Sequence, residues 1–204
     1  MLEERPWQRL AALVGSHVTL YHGTNTQAWD RARKTGQIAA RTDWEEFANE
    51  IEVEFGLQKR SVWLHPASSF TRHSRHHDPH VYLTADPAVA ASYASKGSEV
   101  IADTLMAAWR LLHPDANPFT PAGKQILNSF VAEWMERHHL APLVLTLSVP
   151  LEDLPIPSGS LLQDPAEWWA AANLFGPAPT VVFPGPIPLA WVVDPALDAP
   201  EVAL

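Results

Sequence analysis

Apolar and polar residues alternate from His17 to Tyr21, which predicts a short strand running into His22-Gly23-Thr24-Asn25. Thr26 is placed to cap a helix through Ala28 and Trp29 that stops near Gly36. Thr42-Asp43-Trp44-Glu45 has capping-box spacing, and Phe47, Ile51 and Phe55 follow at helical intervals. The stretch 59–80 predicts a long surface loop with a short strand at Val62-Trp63-Leu64. Val81-Tyr82-Leu83-Thr84 predicts the next strand. Asp86-Pro87 then supplies an N-cap and a proline at the first helical position, opening a helix over 87–95. Further helices are expected over 99–112 and 121–139, the second again opening Thr-Pro. The first fifteen residues predict an amphipathic helix.

The last third changes character. A buried strand is expected at 143–149, a short helix around Glu167-Trp168-Trp169, and a final pair of strands at 180–183 and 189–193. Prolines punctuate these junctions and favour short edge strands over a parallel sheet. Neither an internal repeat nor a linker is evident. The expectation is a single α+β domain over residues 1–204, with an insertion loop at 41–80.

Composition narrows the setting. The chain has 204 residues, 47% hydrophobic and 18% charged, a balance that supports a packed core rather than disorder. Cysteine is absent, which excludes disulfides, a thiol nucleophile and thiolate metal sites. The sequence contains no stretch of about 18 consecutive apolar residues and no signal-peptide core, so a soluble, cytoplasmic protein without membrane partners is expected. The formal net charge is -9. It is unevenly placed: from Ala141 onward the chain has no Lys or Arg. The segment 57–80, by contrast, holds Lys59, Arg60, Arg72 and Arg75 beside His65, His73, His76, His77 and His80. An acidic whole disfavours indiscriminate nucleic-acid binding, while this basic segment suits an anion.

Three short segments, in a fixed order, carry chemistry. Leu20-Tyr21-His22-Gly23-Thr24 ends the first strand; Val81-Tyr82-Leu83-Thr84-Ala85-Asp86-Pro87 runs into Ala91-Ser92-Tyr93-Ala94; Thr180-Val181-Val182-Phe183 precedes Pro-Gly-Pro. Together they resemble the motifs of the ADP-ribosyltransferases of the His-Tyr-Glu class. That class includes the poly-ADP-ribose polymerases and, more distantly, the tRNA 2'-phosphotransferases. The match covers both ends of the domain and one central helix. It implies split antiparallel sheets forming a half-barrel around an NAD cleft, with flanking helices. It also implies that His22 hydrogen-bonds the adenine-side ribose, that the Gly23 backbone grips the nicotinamide amide, and that Tyr82 and Tyr93 sandwich the nicotinamide ring. Thr24 and Ser92 are nearby polar candidates. Where the polymerases carry a serine that contacts the amide, this chain has Ala90.

The class places a glutamate on its last core strand to stabilise the oxocarbenium ion formed as nicotinamide leaves. Thr180 occupies that slot. Glu167 is the nearest alternative carboxylate, with Gln163 and Asp164 behind it, although a first-turn helix acid is also favoured by the helix dipole alone. The implied activity is mono-ADP-ribosyl transfer from NAD to a protein or nucleic-acid acceptor, and small chains of this class often serve as toxins or as bacterial or phage effectors. The alternatives are a catalytically silent module that binds NAD, ADP-ribose or a partner, and an NAD-dependent 2'-phosphotransferase. The absence of arginines after Arg137 disfavours the last. The histidines at 73, 76, 77 and 80 are interrupted by Ser74, Asp78 and Pro79, so a solvated loop that titrates near about pH 6.5 is expected rather than a metal site. Arg72 and Arg75 suit the NAD pyrophosphate or an acceptor phosphate. Trp109 and Trp134 are expected in the core; Trp168 and Trp169 are adjacent and cannot both face one way on a helix, so core packing with partial exposure is expected, with one of them at an acceptor groove as the alternative.

Overall fold

The structure, a computed structural model, describes residues 5–40, 44–66, 80–95, 99–175 and 177–197. Its frame is an antiparallel five-stranded sheet in the order β5-β3-β1-β4-β7: Thr180–Phe183, Val81–Thr84, His17–Asn25, Pro142–Pro150 and Val192–Leu197. β1 and β4 pair over nine residues, from His17 with Pro150 to Asn25 with Pro142. Their alternation explains the burial. Val18 and Leu20 of β1 face the same way as Leu145, Leu147 and Val149 of β4, and Val81, Leu83, Val181 and Phe183 extend that apolar face. A second sheet, β2 (Gln37–Ile38) with β6 (Ile187–Pro188), delivers Ile38 and Ile187 to the same core. Two antiparallel sheets therefore close on one hydrophobic interior, an α+β architecture with seven helices among the described residues.

The opposite face of β1 and β4 is covered by α4 (Pro87–Ser95), whose Ala90, Ala91 and Ala94 meet Tyr21 and Val144. Only small side chains on that stripe let the helix lie this close. The Asp86 carboxylate accepts from Ala88 N at 2.8 Å, so the expected Asp-Pro start is realised. The expected stop of α2 (Thr26–Thr35) is realised too, with Gly36 left-handed at φ 73°. Its cap is not Thr26. Asn25 accepts from Ala28 N at 2.9 Å, while the Thr26 hydroxyl donates to the His139 carbonyl and receives from Ala141 N. The β1–β4 pairing runs past Asn25 and claims Thr26 for the neighbouring strand.

A second core joins α3 (Trp44–Glu54), α5 (Glu99–Leu112) and α6 (Pro121–Arg137) through Phe47, Ile51, Leu105, Ala108, Trp134 and Met135. Trp109 and Trp134 are both buried, as expected. The capping box at Thr42 lies outside the described residues, and so do 67–79, with Arg72, Arg75, His73, His76 and His77. The described part of the expected surface loop is exposed at Lys59, Arg60, Leu64 and Pro66 but has no strand at Val62. Residues 59–64 form turns, Val62 is fully buried, and the organiser is Glu52. Its buried carboxylate accepts from the backbone N–H groups of Arg60 (2.6 Å), Val62 (2.8 Å) and Trp63 (3.3 Å). Those bonds hold Arg60 at φ 65°, a left-handed conformation that its side chain disfavours. Glu52→Gln keeps one carbonyl acceptor and turns an amide toward N–H donors; a loss of about 2 kcal/mol in urea unfolding is expected.

The expected final strand pair separates. Residues 189–191 are a 3-10 turn, and the strand begins at Val192. β5 and β7 then lie on opposite edges of the sheet, against β3 and β4. No helix among the described residues is long and apolar enough to cross a membrane.

Candidate functional site

Backbone pairing opens a fork between β1 and β3. Hydrogen bonds from Leu151 N to Ser16 O and from Thr26 N to Ala141 O continue the β1–β4 register at even-numbered β1 residues. Antiparallel pairs alternate, so the N–H and C=O of the odd residues Tyr21 and Gly23 point away from β4, toward β3. Tyr21 finds its partner there in Thr84, and the β1–β3 pairing goes no further. Two residues on, where Gly23 would meet Tyr82, the strands part. The His22 ring bridges the gap, with Nδ1 3.0 Å from the Tyr82 carbonyl oxygen. The Gly23 N–H and C=O are thus directed into the fork, a donor and an acceptor side by side.

His22 has a definite polarity. A carbonyl only accepts, so Nδ1 carries the proton, and in the neutral ring Nε2 is left as an acceptor. Burial lowers the His22 pKa below the usual histidine value, opposed by the smaller effect of the Tyr82 hydrogen bond. The neutral form is therefore native at pH 7. His65 is shifted the same way by burial and by the nearby Arg110 charge. For both, the unfolded chain binds more protons between the lowered value and about 6.5, so stability falls as pH drops through that window and is level above it. Urea midpoints measured at pH 5.5 and 7.5 should differ in this direction, and His22→Asn should shrink the difference.

Gly23 has a structural duty of its own. A Cβ there would stand 2.0 Å from the Ala90 carbonyl oxygen and 2.9 Å from Ala94 N. The close approach that requires glycine is made by α4. Ala90 is itself buried, with its carbonyl over Gly23, and Tyr93 lies in the same helical turn. Tyr82 and Tyr93 keep 57% and 49% of their surface exposed. His80, not assigned to the site from sequence, has its ring 6.4 Å from that of Tyr82; the period of 2 along β3, which puts both on one face, was the available signal. Thr24 is half-buried, and Ser92 is exposed on α4.

β5 adds the third segment. Thr180 pairs with Thr84 and Val182 with Tyr82, so Thr180 is exposed on the Tyr82 face of the sheet, with β3 between it and the fork. Glu167 lies elsewhere. It is in the first turn of α7 (Pro165–Phe175), its N–H bonded to the Asp164 cap and its carboxylate receiving Gln8 of α1 (Pro6–Ala11) at 3.4 Å. α7 also packs on the turn at Leu151–Asp153, which follows the end of β4 paired with His17. That is the end of β1 remote from His22, roughly 16 Å along the strand. Gln163 bonds to Ser160 O, and Trp168 and Trp169 are both half-buried against the main core, the expected packing with partial exposure. Among the described residues, no three His, Asp or Glu side chains group as metal ligands. No family model, curated protein or solved structure matches the chain.

Proposed function

We propose that the fork is the nicotinamide end of an NAD site in an ADP-ribosyltransferase fold, and that the chain is a mono-ADP-ribosyltransferase. The observation that carries this reading is the divergence of β1 and β3 at His22–Tyr82, which directs the Gly23 N–H and C=O together into the opening. A primary carboxamide offers the matching acceptor and donor. Nicotinamide has one, attached to a ring that suits the exposed faces of Tyr82 and Tyr93. His22 Nε2 is an acceptor for a ribose hydroxyl. As the glycosidic bond to nicotinamide breaks, its electron pair leaves with the neutral base and positive charge develops on the ribose. The acceptor nucleophile then bonds to that carbon and loses its proton.

The second reading is a silent module that holds NAD or ADP-ribose without transfer. Thr180 favours it, since a hydroxyl in the slot of the expected carboxylate brings no negative charge to the developing cation. Calorimetric NAD binding and nicotinamide release, measured together, separate the two. Under the transferase reading both occur. His22→Ala and Tyr82→Ala should each weaken NAD binding about tenfold, as expected for one lost hydrogen bond or ring contact. NAD affinity unchanged in both variants would remove the fork as its site.

A further inference from the structure

The same pairing logic exposes a second backbone feature, on β5. Ala85 N bonds to Pro179 O at 3.0 Å, which continues the β3–β5 register and makes 85 with 179 a hydrogen-bonded pair. By alternation, Leu83 with Val181 and Val81 with Phe183 are hydrogen-bonded, and Tyr82 with Val182 and Thr84 with Thr180 are not. The N–H and C=O of Thr180 and Val182 therefore point away from β3. β5 is the edge of the sheet, so among the described residues no strand meets them.

We propose that the outer edge of β5, unpaired among the described residues, is a docking rail on which an extended segment of a polypeptide acceptor adds as a further strand. Thr180 and Val182 supply two outward N–H donors and two carbonyl acceptors, the pattern an extended backbone matches. The edge carries none of the charges that natural sheets use to repel added strands: residues 168–193 contain no Asp, Glu, Lys, Arg or His. Pro179 and Pro184 bracket the strand and hold the rail to four residues, which suits a short segment rather than a sheet-to-sheet contact. The same lack of cations leaves nothing here for a phosphate backbone, so the occupant is polypeptide, not nucleic acid. A segment seated on β5 has alternate side chains on the Thr180 face, the face that carries Tyr82, with β5 and β3 between it and the fork. Naming that segment an acceptor rests on the NAD reading; the edge geometry does not.

The test uses the full chain and a fluorescein-labelled hexapeptide of alternating threonine and valine flanked by lysines. Amide exchange is followed by NMR and affinity by anisotropy. In the free chain, the Thr180 and Val182 amides should exchange fast while Val181 and Phe183 are protected; peptide should slow the first two. N-methylating alternate peptide residues should weaken binding to the wild-type chain at least ~tenfold, and Val182→Pro should do the same from the protein side. The methylated peptide needs no protein variant, so its result stands even where Val182→Pro fails to fold. Protection of the Thr180 and Val182 amides in the free chain would overturn the rail. So would peptide affinity indifferent to methylation, or edge protection by single-stranded oligothymidylate and not by peptide. NAD calorimetry in parallel keeps the readings apart: peptide seated without NAD binding upholds the rail and removes its identity as an acceptor site.

Discussion

Gly23→Ala is expected to destabilise the chain by about 3 kcal/mol, at the top of the range for overpacking, because the obstacle is backbone. A Cβ at this position meets the Ala90 carbonyl oxygen at 2.0 Å and Ala94 N at 2.9 Å. A flexible side chain would turn aside. A helix carbonyl and amide cannot, since their positions are fixed by α4 as a whole. Relief requires α4 to lift from β1, which separates Ala90, Ala91 and Ala94 from Tyr21 and Val144. It also shifts Tyr93, in the turn above Gly23, away from the fork. Urea unfolding should report the stability loss, and NAD affinity of the folded fraction should fall as well. Gly36→Ala provides the contrast. Nothing lies within 4 Å of a Cβ there, and the cost comes only from its left-handed φ of 73°. A Gly23→Ala midpoint equal to wild type would mean that α4 does not lie on β1 as described.

These duties explain how much was legible beforehand. Local signals were reliable where one residue type satisfies a local geometry: Asp86-Pro87 and Thr120-Pro121 open helices, and Gly36 ends one. The signals failed where a distant partner decides. Asn25 and Thr26 are both competent caps, and only the β1–β4 register assigns Asn25 to the helix and Thr26 to His139 and Ala141. Likewise, the sequence of β5 and β7 does not say which strands they border; β3 and β4 already stand at the two sides. Glu52 drew no attention in the sequence, because its partners are backbone amides eight to eleven residues later, and amides carry no sequence signature. At the candidate site, His22, Gly23, Tyr82 and Tyr93 stood out in the sequence because they fall in ordered motifs. The fork and the bond from His22 to Tyr82 were not, because a strand divergence is a property of pairing.

Under the transferase reading, Thr180→Glu should raise nicotinamide release from NAD on the order of 100-fold. Thr180 is exposed, opposite Thr84, and its side chain lies on the Tyr82 face, one strand from the fork. The exchange is inexpensive for the fold, since strand preferences at such positions span only about 1 kcal/mol. Its chemical effect is much larger. A threonine hydroxyl offers a dipole to the ribose as it becomes cationic, whereas a carboxylate offers a full charge that gains strength as the bond breaks. Preorganised electrostatic groups of this kind account for roughly 100- to 1000-fold in rate. Thr180→Gln has the reach without the charge and should change release less than about tenfold, so the pair of variants separates charge from size. Equal gains in both would assign the effect to hydrogen bonding or reach. NAD bound by all three proteins with no release from any would make the fork a binding module. No NAD binding by any would end the transferase reading altogether.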